Sequence, residues 1–242
     1  MDKELTGLQG VLCHMDDILV IGKDKEEHDE RLVKVLNRLS ESGITLNQDK
    51  CVFSTGKLHY LGQVIDADGI RKDPAKVKAI IEMPEPKDVP DVRRFLGMVN
   101  QQMKFLPNLA EITKPVRDLL KKESDWTWDL PQKKAFERLK QELASDEALA
   151  LYDPERETIV SADASSYGLG AVIRQRQKDG RLKTVAYASR SMTKTECRYA
   201  QIEKEALATT WALEHWSNFL IGMKFHVEPT TNHLCHSSQP NS

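Results

Sequence analysis

The fold is decided by the stretch VLCHMDDILVI, residues 11–21, in which two adjacent carboxylates, Asp16 and Asp17, lie between two apolar segments. Two runs of strand-forming residues around a short polar tip predict a hairpin of paired strands. Side-by-side negative charges are costly there unless a cation neutralises them, and Mg²⁺ is held by one or two carboxylates plus phosphate oxygens. The stretch therefore indicates either a metal site suited to phosphoryl transfer or a solvated Asp-Asp turn.

The composition is that of a soluble globular protein. Of the 242 residues, 40% are hydrophobic and 30% are charged, and the net charge of −2 argues against a strongly basic nucleic-acid binder. Four scattered cysteines lack metal-like spacing and fit reduced thiols. No apolar run approaches the roughly 18 residues of a membrane helix, and the first residues do not resemble a secretory signal. We expect an intracellular protein without a membrane partner, in the cytoplasm or the nucleus.

Short strands and helices alternate in the first third of the chain. A helix is predicted from Lys25 to Ser42, because apolar residues recur every three or four positions and Gly43 follows. Asp73 and Pro74 have the form of a cap followed by proline at the first helical position. That helix would turn Val77, Ile80 and Ile81 inward, and short strands are predicted at 52–53, 58–61 and 64–65, with a turn at 66–69.

Helices dominate the middle of the chain. The prolines at 84 and 86 mark a boundary, after which residues 91–103 carry one apolar helical face. A second helix is predicted around 112–120, where Pro115 would either kink it or start a new one. Asp129 is a candidate cap for a third helix that would bury Phe136, Leu139 and Leu143.

From Glu157 onward the hydrophobic period becomes that of strands. Strands are predicted at 158–163, 168–173 and 184–188, with a turn at 178–180 joining the last two. A helix is predicted from about Tyr199 to Leu220, and a fourth strand begins at 224–227. Asp163 would end the first strand, and Glu205 would lie on the helix.

Several motifs, in their order along the chain, resemble the Pol polyprotein of gypsy-type LTR retrotransposons. HMDDILV, residues 14–20, resembles the YMDDILV metal-binding hairpin of reverse transcriptases, with His14 in place of the tyrosine. RFLGMVN, residues 94–100, resembles the connection segment. SADAS, residues 161–165, and QIEKEAL, residues 201–207, resemble the ribonuclease H part. The resemblance covers roughly residues 7–233.

The resemblance implies an α+β fold with a partial reverse transcriptase palm and thumb, a connection region and a truncated ribonuclease H-like α/β domain. The implied divisions are 1–83 for palm and thumb, 84–152 for the connection, 153–233 for the partial ribonuclease H-like domain and 234–242 for a divergent tail. The implied activities are RNA-directed DNA synthesis and cleavage of RNA in RNA–DNA hybrids. The implied partners are a hybrid or a template–primer, and a partner subunit that supplies missing parts is left open.

By the same resemblance, Asp16 and Asp17 form one catalytic metal-binding pair, and Asp163 and Glu205 form another, for Mg²⁺ or Mn²⁺. Asp163 taken alone can also be a strand-end turn residue. Glu203 is the neighbouring alternative to Glu205, but two residues correspond to about 200° around a helix, so both cannot face one site. The stretch 58–62 would lie in the primer grip.

Two departures from the family pattern predict weak or absent catalysis. The essential upstream aspartate has no counterpart among the first fifteen residues, which contain only Asp2 and Glu4 as acids, so primer extension is not expected. Asn232 stands where the family has a third carboxylate, and restoring it with Asn232→Asp alone is not expected to rescue activity. Three hypotheses remain: a defective enzyme fragment, a non-catalytic remnant that binds nucleic acid or protein, and an unstable product with exposed sheet edges.

Overall fold

The computed structural model describes residues 2–121 and 125–229. It divides into two compact units between Gly56 and Lys57. The mixed helix and sheet architecture confirms the predicted α+β class. Across the described part of the chain, no helix combines the length and apolar character needed to cross a bilayer.

The first unit is a hairpin covered by a helix, as predicted. It contains α1 (Asp2–Leu5), β1 (Val11–His14), β2 (Asp17–Val20), α2 (Lys25–Glu41) and a 3₁₀ turn (Gln48–Lys50). The Asp24 carboxylate accepts the Glu27 N–H at 2.9 Å and starts α2, and Gly43 ends it with a φ of 68°. Leu5, Val35 and Leu39 bury the face of the hairpin that carries Val11, Cys13, Ile18 and Val20.

The predicted strand at Val52 and Phe53 is wrong. Residues 51–53 form no regular element, and both side chains are exposed. Two apolar residues are too few to specify a strand when no neighbouring strand offers them hydrogen bonds.

The second unit opens with a three-stranded antiparallel sheet of β3 (Lys57–Tyr60), β4 (Gln63–Asp66) and β5 (Gly69–Lys72). The first two strands and the turn were predicted, but β5 was not. In α3 (Pro74–Ile81), the Asp73 carboxylate accepts the Ala75 N–H at 2.9 Å, which confirms the cap. Ile80 is buried, whereas Ile81 is exposed, so the inward prediction is wrong for Ile81 because it lies about 100° further around the helix.

Five helical segments form an apolar cluster in the middle of the chain. They are α4 (Val89–Asn100), a 3₁₀ turn (Met103–Phe105), α5 (Leu109–Ile112), α6 (Lys114–Asp118) and α7 (Leu130–Ala144). Pro115 lies in the first turn of α6, so it starts a new helix rather than kinking the previous one. The predicted residues Phe136, Leu139 and Leu143 are all buried in this cluster.

The last part is a four-stranded sheet with helices on it. The strands β6 (Thr158–Ala164), β7 (Gly168–Arg176), β8 (Leu182–Ser191) and β9 (Phe225–Pro229) have the order β8-β7-β6-β9. The first three are antiparallel, and β9 runs parallel to β6. The predicted single helix at 199–220 is two helices, α8 (Gln201–His215) and α9 (Ser217–Leu220), because Trp216 leaves the helical conformation at φ −103°, ψ 21°.

The two faces of this sheet have different neighbours. Val160, Ala162 and Ala164 of β6 pack with Ala208 and Ala212 of α8 in one apolar cluster. On the other face, the Ala110 N–H of α5 donates to the Ser189 hydroxyl of β8 at 3.0 Å. Because strand side chains alternate between faces, Asp163 belongs to the face opposite Val160 and Ala162.

Strand β5 is tied to the segment that precedes β6. Ile70 and Leu149 exchange two backbone hydrogen bonds of 2.8 Å. The Arg71 guanidinium reaches the Asp146 carbonyl at 3.1 Å, and Lys72 donates to the Ser145 hydroxyl at 3.2 Å. The three-stranded sheet and the four-stranded sheet therefore belong to one packed body, within which the divisions at 83/84 and 152/153 stay predictions.

Candidate functional site

The hairpin places Asp16 and Asp17 at its tip. His14 pairs with Asp17, which leaves Met15 and Asp16 as the two turn residues, and Met15 adopts a φ of 53°. Both carboxylates are exposed. The prediction of two neighbouring acids at a hairpin tip is confirmed as geometry, and their role as metal ligands stays a prediction.

Asp163 lies one residue before the end of β6, opposite Gly170 of β7. The turn that follows is built by Ser165, whose hydroxyl accepts the N–H groups of Tyr167 and Gly168 at 3.2 and 3.1 Å. Gly168 allows a close approach there, because a Cβ would lie 3.0 Å from the Ala110 side chain and 3.1 Å from the Arg190 carbonyl. The short polar turn thus fixes the end of the strand that carries Asp163.

A small polar cavity of about 30 Å³ opens beside Asp163. It is lined by Ser165 and Ser189 from the sheet and by Asn108 and Glu111 from the start of α5. A volume of this size accommodates one water molecule or one small ion. Asp163 is half-buried at its rim, and its Oδ1 accepts the Ala164 N–H at 2.8 Å.

Gln201 connects Glu205 to the strand that carries Asp163. The Gln201 side-chain amide donates to the Ala164 carbonyl and to the Glu205 carboxylate, both at 3.2 Å. Because residues four apart lie on the same face of a helix, Gln201 and Glu205 point toward the same strand end. A single amide group therefore separates the Glu205 carboxylate from the backbone next to Asp163.

Glu203 has a different role from Glu205. Its carboxylate accepts the Ala200 N–H at 2.8 Å and closes the first turn of α8. This agrees with the expectation that the two acids face different directions. Glu203 is therefore committed to the helix cap. The pairing of Glu205 with Asp163 stays a prediction, since α8 packs on the face of the sheet opposite the Asp163 side chain.

Glu228 of β9 is on the same face of the sheet as Asp163, but it is already paired. Its carboxylate accepts from the Arg174 guanidinium at 2.7 Å, and Arg174 also donates to the Ser161 hydroxyl at 2.8 Å. The Glu228–Arg174 pair covers this face of the sheet at Ser161, two residues before Asp163. Glu228 therefore forms an ion pair that stabilises the sheet, rather than binding an ion at the strand end.

The third predicted ligand position, Asn232, lies outside the described residues. Strand β9 runs parallel to β6, with Pro229 opposite Ala162. It therefore approaches the end of the sheet at which Asp163 lies. Within residues 2–121 and 125–229, no group of three or more histidine, cysteine, aspartate or glutamate side chains is arranged to hold a metal.

Each predicted pair of acids can offer a divalent ion two carboxylates. Asp163 and Glu205 supply carboxylate oxygens, the donor type that Mg²⁺ and Mn²⁺ prefer. Mg²⁺ commonly uses one or two carboxylates and completes its coordination with water and substrate phosphates. The donor chemistry therefore suits an ion that binds together with a phosphate backbone.

An ion pair anchors the loop that leads into α8. The Arg190 guanidinium donates to both oxygens of Glu196 at 2.9 and 3.0 Å, and the Thr193 N–H donates to the same carboxylate at 2.7 Å. Arg190 also lies 5.7 Å from the Trp211 ring centroid. Hydrogen bonds from Arg190 and from the Thr193 backbone lower the pKa of Glu196 to about 2. This clamp orients the first turn of α8, where Gln201 and Glu205 lie.

We expect Glu196→Gln to lower the free energy of unfolding by about 1–2 kcal/mol at pH 7, the range for charge-assisted hydrogen bonds at a partly exposed site. Since folding depresses the Glu196 pKa, its contribution is present above pH 4.5 and is lost as the pH falls toward 2. Urea unfolding at pH 7, 4 and 3 measures the effect. Glu137→Gln, at an exposed position of α7, is the control. A wild-type minus variant difference that stays constant with pH would contradict the assignment.

The hairpin between β3 and β4 carries the residues predicted for the primer grip. Its two turn residues, Leu61 and Gly62, have φ values of 50° and 71°, the pattern of a type I′ turn. Lys76 approaches Gly62 so closely that a Cβ there would lie 2.0 Å from the ammonium nitrogen. Lys104 donates to the Gln63 side chain at 2.6 Å, and burial lowers the pKa of Lys104 to about 8.

Gln201 and Ser165 also shape the site, although no sequence motif marked them as functional residues. Gln201 precedes Glu205 by one helical turn, and this spacing is the signal that could have identified it. Ser165 lies two residues after Asp163, and serine is a common turn residue. Their contacts depend on how α8 and β7 meet β6, which local pattern does not reveal.

Two protein families match different parts of the chain. Residues 1–65 match the family described as reverse transcriptase (RNA-dependent DNA polymerase). Residues 128–227 match the RNase H-like domain found in reverse transcriptase. The matches cover the Asp16–Asp17 hairpin and the sheet that carries Asp163.

Curated relatives and solved structures extend this similarity. The Tf2-3 and Tf2-7 transposon polyproteins of Schizosaccharomyces pombe are 34% and 33% identical over 210 residues, which is 87% of this chain. The chain spans 16% of the length of these relatives. A foamy viral protease–reverse transcriptase has been solved with double-stranded DNA and with an RNA/DNA hybrid. Both structures superpose with a TM-score of 0.81 at 25% identity over 94% of this chain, covering 40% and 31% of those chains.

Proposed function

The chain belongs to the reverse transcriptase and ribonuclease H family of gypsy-type retrotransposon Pol polyproteins, and on that premise we propose that it binds an RNA–DNA hybrid at the strand end carrying Asp163. Asp163 and Glu205 bind a divalent ion there against the hybrid backbone. Asp16 and Asp17 have the corresponding role for a template–primer. Cleavage of the hybrid is impaired, because Asn232 offers a neutral amide in place of a carboxylate.

The observation that carries this proposal is the Gln201 bridge between the Ala164 carbonyl and Glu205. It holds an otherwise exposed carboxylate in one direction and beside the end of β6. A bound Mg²⁺ or Mn²⁺ would neutralise backbone charge and activate water. In this proposal Asp163 and Glu205 bind the ion, Gln201 orients Glu205, and the Ser165 turn fixes the strand end that carries Asp163.

A hybrid partner also fits the neighbouring structures. The foamy viral relative was solved in complex with an RNA/DNA hybrid and with double-stranded DNA. A protein recognises such a duplex mainly through backbone shape and phosphates, without reading the base sequence. The second candidate function is passive binding of the same duplex, favoured by the absence of a third metal-binding side chain among the described residues.

Two measurements on the full chain test the proposal. Mn²⁺ binding is measured by electron paramagnetic resonance, and binding and cleavage of a labelled RNA–DNA hybrid are measured in Mg²⁺ and Mn²⁺. We expect hybrid binding with little cleavage. Asp163→Asn and Glu205→Gln should each weaken Mn²⁺ binding about tenfold or more, a typical loss when a metal site is perturbed.

Glu203→Gln is the matched control, because it removes an acid two residues from Glu205 that caps the helix instead. Hybrid binding with no Mn²⁺ effect of either variant would support the passive module. Efficient cleavage that is lost in Asp163→Asn would overturn the proposed impairment. Failure of the wild-type chain to bind the hybrid would overturn the proposal as a whole.

A further inference from the structure

Helix α6 presents cationic side chains next to the strand end that carries Asp163. Lys114, Arg117 and Lys121 lie on α6 or just after it, and only Asp118 among residues 114–121 is acidic. Asp118 pairs with Lys114 at 2.9 Å and with Lys121 at 2.6 Å. Three cations against one carboxylate leave a local excess of positive charge on a chain whose net charge is −2.

Lys114 is held in place over an aromatic ring. Its ammonium nitrogen lies 4.3 Å from the ring centroid of Tyr167, and Tyr167 is half-exposed in the turn after β6. The Asp118 carboxylate raises the pKa of Lys114, so the ammonium stays charged at neutral pH. The same turn begins with Ser165, which lines the cavity beside Asp163. Lys114 is thus a fixed cation held against the turn that follows Asp163.

Arg117 is held by a neutral group. One of its terminal nitrogens donates to the Ser191 hydroxyl at 2.7 Å, and no carboxylate of the described residues forms an ion pair with it. Partial burial lowers the pKa of the guanidinium. A partly desolvated cation with a hydroxyl as its partner favours an incoming anion, and the planar guanidinium matches the geometry of a phosphate.

The strand ends bring these groups to one edge. Ser191 ends β8 opposite Gly168, which begins β7, and Gly168 follows Tyr167 directly. Asp163 lies at the same end of the sheet, because β6 ends where β7 begins. Lys114, Arg117 and Tyr167 therefore line the edge to which the proposed function brings the hybrid.

We propose that Lys114, Arg117 and Lys121, with Tyr167 beneath Lys114, form a phosphate-contacting surface that binds the sugar–phosphate backbone of the hybrid next to Asp163. This inference rests on the proposed function and adds the residues that position the duplex. The surface makes no base contacts, so it binds all sequences equally. Its contribution is electrostatic and falls with added salt.

The test is the salt dependence of hybrid affinity, measured by fluorescence anisotropy of a labelled hybrid with the full chain in EDTA, where no cleavage occurs. We expect Lys114→Gln, Arg117→Gln and Lys121→Gln each to weaken binding about 3- to 10-fold near 0.1 M salt. Each should also reduce the slope of log K against log salt by about 0.9. Arg117→Lys, which keeps the charge, should retain the wild-type slope.

Arg181→Gln is the matched control, because Arg181 is an exposed cation in the turn between β7 and β8, at the opposite end of these strands. Circular dichroism verifies that each variant is folded. Lys121→Gln tests the surface independently of folding, since the Lys121 side chain is 69% exposed. If the wild type binds and the α6 variants behave like Arg181→Gln, this inference fails while the proposed function stands. If the wild type does not bind the hybrid, the proposed function fails first and this inference with it.

Discussion

Replacing Phe136 with alanine is expected to lower the free energy of unfolding of the second unit by about 3–5 kcal/mol, the cost of deleting a fully buried aromatic ring. Phe136 is 1% exposed and packs 4.7 Å from the Phe95 ring centroid and 5.8 Å from that of Trp128. The Lys140 ammonium lies 4.2 Å from its ring centroid on α7. Urea unfolding followed by circular dichroism measures the loss.

Leu130→Ala is the control for Phe136→Ala. Leu130 begins the same helix but is 63% exposed, so its truncation should change stability by no more than about 0.5 kcal/mol. Equal losses in the two variants would contradict the assigned packing of α7. A small loss at Phe136 would mean that the cluster between α4 and α7 is loosely packed.

Replacing Gly69 with alanine is expected to cost about 2–4 kcal/mol. Gly69 has a φ of 136°, which side chains rarely adopt, and an added Cβ would lie 2.0 Å from the Leu149 carbonyl oxygen. That carbonyl accepts the Ile70 N–H, so relief of the clash would break the bridge between β5 and the segment before β6. Urea unfolding gives the loss, and hydrogen exchange of the Ile70 and Leu149 amides localises it.

Gly97→Ala provides a control of opposite sign. Gly97 lies inside α4, and an added Cβ there would meet no atom within 4 Å. Alanine should therefore stabilise the helix by up to about 1 kcal/mol through its higher helix propensity. If Gly69→Ala were as mild as Gly97→Ala, the close approach of Leu149 to Gly69 would be incorrect.

Local sequence signals predicted the elements that depend on neighbours in the chain. The Asp16–Asp17 hairpin and the Asp73 cap each follow from a few adjacent residues, and Pro115 marked the place where α6 begins as one of two alternatives. The order of motifs also identified the family, which the matches at residues 1–65 and 128–227 confirm.

Elements that depend on distant partners were harder to predict. Strand β5 has only Ile70 as an apolar residue in Gly69–Lys72, and Ile70 pairs with Leu149, almost eighty residues later. Val52 and Phe53 have the composition of a strand but are exposed. Gln201 was overlooked because its role depends on the contact of α8 with Ala164. In each case the deciding contact is made across the fold and leaves no periodic signal.

The bridge between Ile70 and Leu149 has a consequence for a long nucleic acid. It ties the sheet that carries the Leu61–Gly62 hairpin to the segment before β6, within the same compact unit as the sheet that ends at Asp163. The distance between the hairpin and the end of β6 is therefore set by direct packing rather than by a flexible linker. If the hybrid of the proposed function also contacts the hairpin, that contact and the acidic edge would be separated by a constant number of nucleotides.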